Sequence, residues 1–268
     1  MRTQQTEVMG ILNATPDSFS DGGRFNQLQA ALRRCEQMCT EGADWIDVGG
    51  ESTRPGAAEV SEQQEIDRVI PIIEAIKQRF PMKVSVDTSK PGVMQAAIRA
   101  QVDMINDVRA LLAPGAIEVV APSDVLVCLM HMQGEPRSMQ QAPDYDDVVY
   151  DVKMFLEQRM LACHQAGIDS ERLLLDPGFG FGKTVRHNFQ LLQRLATFHE
   201  YGLPLLVGVS RKSMLGAVTD TEVDDRLAAS IAGATIAAMK GAQIVRVHDV
   251  KQTVDAMQVV RATLKGEF

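Results

Sequence analysis

Eight short apolar runs, separated by longer amphipathic stretches, constrain the fold of this chain more than any other feature. They are "VMGIL", "WIDVG", "KVSVD", "DMIND", "VLVCLM", "LLLD", "PLLVG" and "IVRVH". Most are rich in Val, Ile and Leu, as strands buried on both faces are. The segments between them place apolar residues at helical spacing. Ser61 and Gln64 form a capping box ahead of Ile66, Val69, Ile70, Ile73 and Ile76, and Pro71 is expected to kink that helix. Ser89 is expected to cap a segment with Pro91 in its first turn. Val149, Val152, Leu156, Met160 and Cys163 make a stripe stopped by Gly167. Leu227, Ile231, Ala234 and Ala238 line a helix ending at Gly241, and Val250, Val254, Met257 and Leu264 line the last one.

Strands alternating with helices over 268 residues predict a (β/α)8 TIM barrel, one domain spanning 1–268; such barrels run to roughly 250 residues. A doubly wound open sheet is the alternative. The first connection, "NATPDSFSDGGRFNQ", is long and polar where a dinucleotide-binding sheet would carry a tight glycine turn. No Pro/Gly/Ser linker, low-complexity tract or charge block marks a domain boundary.

The stretch "LLLDPGFGFGKT" resembles a phosphate-gripping loop, and its spacing rules that out. A nucleotide loop ending at Gly182-Lys183-Thr184 needs glycine at position 177, which is Pro177, a residue with no N–H to offer a phosphate. The dinucleotide pattern fails as well, because its third glycine falls on Lys183. What remains is an apolar strand with Asp176 at its carboxyl end.

A net charge of −8 argues against a nucleic-acid partner, although a local basic pocket for an anionic substrate stays open. No run approaches the ~18 apolar residues of a membrane span. The opening "MRTQQTEVMGIL" has no apolar stretch behind a basic head, so no signal peptide is expected. Cys35, Cys39, Cys128 and Cys163 show no C-x-x-C pair and read as reduced, inert thiols of a cytoplasmic protein.

A barrel gathers the carboxyl ends of its strands at one mouth. Those ends supply Asn13, then "GGESTRPG", Asp87, Asn106 with Asp107, His131, Asp176, "SRKS" (210–213), and Arg246 with His248. A lone Asp or Asn at a strand end often does no more than cap a turn. Eight such ends in succession need a stronger reason, because isolated buried charges are costly unless paired or used on a ligand. Asp87, Asn106 and Asp176 suit edge-on reading of a flat heterocycle. Arg54, Arg246 and His248, with Asn13 and a divalent cation, suit a polyphosphate.

The motifs "MGILNATPDSFSDGG", "GADWIDVGGESTRPGA", "SVDTSKP", "INDVRAL", "MHMQG", "LLLDPGFGFGKT", "LLVGVSRKSM" and "GAQIVRVHDV" together resemble dihydropteroate synthase, in order and from about Val8 to the last helix. The resemblance implies a homodimeric (β/α)8 transferase of folate biosynthesis. Such an enzyme joins p-aminobenzoate to 6-hydroxymethyl-7,8-dihydropterin pyrophosphate with Mg2+ and is a sulfonamide target. Residue by residue, the resemblance implies a pterin slot of Asp87, Asn106, Asp176 and Lys212, with Arg246 along the pterin face. It puts Asn13 on the Mg2+–pyrophosphate, with Asp21 a weaker candidate, and Thr53, Arg54, Arg246 and His248 around the pyrophosphate. The p-aminobenzoate position draws on Phe19, Thr53, Pro55, Phe181, Lys212 and Ser213. Asp87, Asp176, Lys212, Arg246 and His248 carry the catalytic roles, along an SN1-like path. Glycines 178, 180 and 182 are expected to bring their loop close to bound ligands. Ala14 stands where the family more often has valine. A pterin-dependent methyltransferase could share the pterin slot but would not need "STRPG", "SRKS" and "RVHD". A catalytically dead pterin-binding barrel would have lost Asn13, Arg54 or Lys212.

Overall fold

A computed structural model describes residues 5–14, 23–51, 60–135 and 138–266. Eight parallel strands are the frame. They are β1 (Glu7–Asn13), β2 (Trp45–Gly49), β3 (Lys83–Asp87), β4 (Met104–Asp107), β5 (Leu126–Met130), β6 (Leu173–Asp176), β7 (Leu206–Val207) and β8 (Ile244–Val247). They hydrogen-bond in the order β6-β5-β4-β3-β2-β1-β8-β7. A parallel bridge between Leu175 and Leu205 joins the two outer strands. The sheet therefore closes into the expected (β/α)8 barrel, and the open-sheet alternative falls.

The helices are α1 (Gly23–Thr40), α2 (Glu62–Arg79), α3 (Pro91–Arg99), α4 (Ala116–Val120), α5 (Val148–Gln165), α6 (Val185–Gln193), α7 (Ser213–Thr219), α8 (Leu227–Met239) and α9 (Val250–Lys265). The short α7 is an addition between β7 and α8. The capping box forms as the sequence predicts: Gln64 N–H donates to Ser61 Oγ at 3.3 Å, and Ser61 N–H to Gln64 Oε1 at 3.0 Å. Such caps are worth about 1 kcal/mol. Helix α2 runs through Pro71, which is exposed, and buries Val69, Ile72, Ile73 and Ile76. The α5 stripe is buried throughout, and Gly167 follows the helix end at φ +85°.

Three local expectations need correction. Lys90, not Ser89, occupies the cap position of α3, and it makes no side-chain cap bond. Ser89 Oγ donates instead to Asp107 on the neighbouring strand β4, a stronger, charged acceptor. Leu264 is 51% exposed, as is most of the last turn of α9; Val250, Thr253, Met257 and Val260 face inward instead. Leu227, at the start of α8, is also exposed.

Side chains alternate between the two faces of a strand, and the ladder registers decide what enters the barrel. Met9 pairs with Trp45, Asp47 with Ser85, Gly49 with Asp87, Asp87 with Asn106, Asn106 with Cys128, and Met130 with Asp176. One set of positions therefore points inward. Its lower layer is apolar: Met9, Trp45, Met104, Cys128, Leu174, Leu206 and Ile244 cluster together, apart from the larger core between strands and helices. Trp45 is 1% exposed, and its indole N–H donates to Glu7 at 2.5 Å. Above this plug the inward positions turn polar.

Candidate active site

The polar inward positions are Asp47 on β2, Ser85 and Asp87 on β3, Asn106 on β4, Asp176 on β6 and Arg246 on β8. Arg246 ties them together. Its Nε donates to Asp47 Oδ2 at 2.5 Å, and its Nη2 donates to Asp87 Oδ2 at 2.8 Å. Asn106 Nδ2 donates to the same Asp47 oxygen at 3.2 Å. Charges this deep persist only when paired. Burial alone would lower the Arg246 pKa, but Asp47 and Asp87 outweigh it and hold the guanidinium above its ordinary range. Asp87 goes the other way: burial pushes its carboxyl up to about 7, against the pull of Arg246 and with a further push from Asp47.

Asp176 ends β6 at 5% exposure. Its Oδ1 accepts the Gly178 N–H at 2.7 Å, and Oδ2 has no hydrogen-bond partner among the described residues. Burial raises its pKa, opposed by that N–H and by Lys212. Lys212 is the cap residue of α7; its Nζ donates to the Phe179 carbonyl and lies 4.5 Å from the centre of the Phe181 ring. Burial lowers this ammonium to about 8, partly offset by Asp176. Ser213, the first residue of α7, is exposed. Just past β8, His248 follows Arg246 by two residues, with Nδ1 3.0 Å from Ser210 Oγ. Asn13 ends β1 opposite Gly49 and is exposed.

The barrel thus brings Asp87, Asn106, Asp176, Lys212 and Arg246 around one mouth, with Asn13, Phe181, Ser210, Ser213 and His248 on its strand ends and loops. Phe19, Asp21, Thr53, Arg54 and Pro55 lie outside the described residues. Two of the strand-end groups belong elsewhere. Asp107 has the opposite parity to Asn106 and faces the helices, where it accepts Ser89 Oγ–H and the backbone N–H groups of Arg109 and Leu111. His131 follows β5 on that same outer parity and packs edge-on to Phe155 at 4.9 Å.

Two of the three loop glycines act differently from expectation, while Gly180 lies against Lys212. Gly178 has φ +71°, and a Cβ there would overlap the His131 carbonyl; Gly182 has φ +63°, and a Cβ would overlap that of Gln133. Their close approach is to the chain's own 131–133 segment. Asp47 was missed by the sequence reading. Its signal is present, since "WIDVG" places a carboxylate in step with Trp45 and Gly49 on a strand otherwise apolar.

No helix among the described residues is long and apolar enough to cross a membrane. All four cysteines are free, and burial pushes the Cys35 thiol up to about 12 and the Cys163 thiol up to about 11.

Known proteins resemble the chain along almost its whole length. Residues 9–248 match the family described as pterin binding enzyme. The dihydropteroate synthase of Escherichia coli K12 is 57% identical over 97% of this chain and 92% of that protein. The structure of Yersinia pestis dihydropteroate synthase with a sulfonamide drug complex superposes with a TM-score of 0.94 at 54% identity, covering 99% of this chain and 96% of that one. Xanthomonas albilineans dihydropteroate synthase with 4-aminobenzoic acid gives a TM-score of 0.92 at 49% identity, over 98% and 94%. A closed barrel with three carboxylates and an amide facing inward, matched at this identity and coverage, places the chain in the pterin-binding dihydropteroate synthase family.

Proposed function

We propose that the chain joins p-aminobenzoate to 6-hydroxymethyl-7,8-dihydropterin pyrophosphate, giving 7,8-dihydropteroate and pyrophosphate. The observation that carries this reading is the convergence of Asp87, Asn106 and Asp176 with Arg246 on one inward face of a barrel. Two acidic acceptors and an amide suit the polar edge of a pterin. The Nη1 of Arg246 donates no hydrogen bond among the described residues, which leaves part of the guanidinium for an anionic or planar ligand.

Among the described residues no group of three or more His, Cys, Asp or Glu is placed to hold a metal ion. Mg2+ suits this site in another way, since it is commonly held by one or two protein oxygens together with substrate phosphates and water. Asn13, with a hard amide oxygen exposed at the end of β1, is the residue that would hold it. When bound, Mg2+ would offset charge on the diphosphate.

The protein's own groups favour an SN1-like path. The C–O bond breaks with its electron pair leaving on the diphosphate, near Arg246 and His248. Asp87 and Asp176, when ionised, favour the positive charge that develops on the pterin methylene. The amine nitrogen then forms the new C–N bond and gives up its extra proton to water. Lys212 and the Phe181 ring border the amine position. We propose cytoplasmic location, consistent with four free cysteines, and a homodimer. Exposed Val218, Leu227, Ile236 and Met239 around α7 and α8 are apolar surface available for that contact, and sedimentation velocity tests it.

The reaction is tested by incubating the protein with Mg2+, the pterin pyrophosphate and radiolabelled p-aminobenzoate. Labelled dihydropteroate with an equal yield of pyrophosphate is expected. Pyrophosphate without the condensed product, or neither, would overturn the reading.

A further inference from the structure

The Gly182-Lys183-Thr184 run that mimics the end of a nucleotide loop turns inward. Thr184 caps α6, accepting the His187 N–H at 3.2 Å. Lys183 is only 3% exposed. Its Nζ lies 2.7 Å from the Gly178 carbonyl, 3.0 Å from that of Phe181, 2.9 Å from His131 Nδ1 and 3.4 Å from the His131 carbonyl. None of these partners is a carboxylate. A buried ammonium held by neutral acceptors is costly to keep, so it needs a use.

The contacts indicate that use. Lys183 spans the 178–182 loop internally and ties it to the start of the β5–α5 connection. That loop carries the Phe179 carbonyl that accepts from Lys212, and the Phe181 ring beside Lys212. By contrast, Asp87 and Asp176 end strands, Asn106 stands one residue before the end of β4, and all three are held by the barrel ladder. Burial and the nearby Lys212 depress the Lys183 pKa well below that of an ordinary lysine. Burial, with Lys183 beside it, lowers His131 to about 2, so its ring is neutral and Nδ1 serves as an acceptor.

We propose that Lys183 is a positioning residue for the aryl-amine half of the reaction, its Nζ locking the 178–182 loop onto His131 so that Phe181 and Lys212 are set for the amine. The inference rests on the proposed reading of Phe181 and Lys212 as the amine's neighbours.

Lys183→Met keeps most of the stem and removes every donor. The KM for p-aminobenzoate should rise about tenfold or more, the effect of losing several hydrogen bonds of about 1 kcal/mol each. Affinity for 6-hydroxymethylpterin, measured by calorimetry, should fall much less. Equal losses in both, or no change in the amine KM, would overturn the inference. Phe181→Ala separates the two readings. If it raises the amine KM while Lys183→Met does not, Lys183 is not the positioning group and the site reading stands; if neither does, the site reading itself fails. Should Lys183→Met not fold, His131→Phe removes the nitrogen acceptor while keeping a ring against Phe155, and the same split is expected at smaller size. Failure of both variants to fold would make the contact a requirement of folding and overturn the inference.

Discussion

Replacing Asp176 with asparagine changes almost nothing in shape and reverses one hydrogen-bonding role. In the folded chain one carboxylate oxygen accepts the Gly178 N–H at 2.7 Å, and the other has no protein partner among the described residues. An asparagine keeps its oxygen on Gly178, because leaving that buried N–H unmet costs about 1–3 kcal/mol. Its NH2 then takes the place of the second oxygen. A pterin N–H that met a charged acceptor now meets a donor. Hydrogen bonds to charged groups are worth about 1.5–3 kcal/mol, so affinity should fall tenfold to about 150-fold. Stability should change little, since the Gly178 contact survives. Asp176 also supports the charge on Lys212, so the alkaline limb of the pH–rate profile should move below about 8. The assay is titration calorimetry with 6-hydroxymethylpterin at neutral to mildly alkaline pH, alongside a thermal melt of both proteins. Unchanged affinity in a well-folded variant would refute the role given to Asp176.

Other predictions follow from the same network. Asp87, pushed up to about 7, must lose its proton to accept from a pterin, while Lys212, lowered to about 8, must keep its own to remain a cation. The first condition fails as pH drops below 7 and the second as it rises past 8, so kcat/KM should trace a narrow bell between them; a flat profile from about pH 6 to about pH 9 would contradict both assignments. Arg246→Met leaves Asp47 and Asp87 buried without their shared cation and should cost about 3–5 kcal/mol in a urea titration; Asp47→Asn in the same chain should recover part of that loss. Gly178→Ala adds a Cβ into the His131 carbonyl at positive φ, whereas Gly202→Ala, also at positive φ, meets open space. The first should cost clearly more than the ~1 kcal/mol of backbone strain expected for the second, and thermal melts compare them directly.

The sequence carried the barrel because its signal is repeated eight times, and slips of a residue or two at the ends of "DMIND" or "PLLVG" leave strand order unchanged. Reading every strand-end polar group as part of the mouth was too generous. Asn106 and Asp107 are neighbours in sequence but lie on opposite faces of β4, and His131 falls on the outer face too; a strict two-residue count from Asn106 would have excluded Asp107. On β2, a two-residue count from Trp45 would have found Asp47. Lys183 was hidden because, once the nucleotide-loop spacing was ruled out, nothing local gave it a partner, and only the fold shows carbonyls around its Nζ. Ser89 satisfied the local rule for a helix cap, yet a carboxylate on the adjacent strand is a better partner than a backbone amide. Such a choice depends on a neighbour 18 residues away and cannot be seen locally.

A crystal structure with 6-hydroxymethylpterin bound tests the central claim most directly. The account predicts the ring inside the barrel mouth, its polar edge hydrogen-bonded to Asn106 and Asp176 and its plane alongside Arg246. A pterin seated outside the strand ends, with Asp176 and Asn106 making no contact to it, would contradict the account.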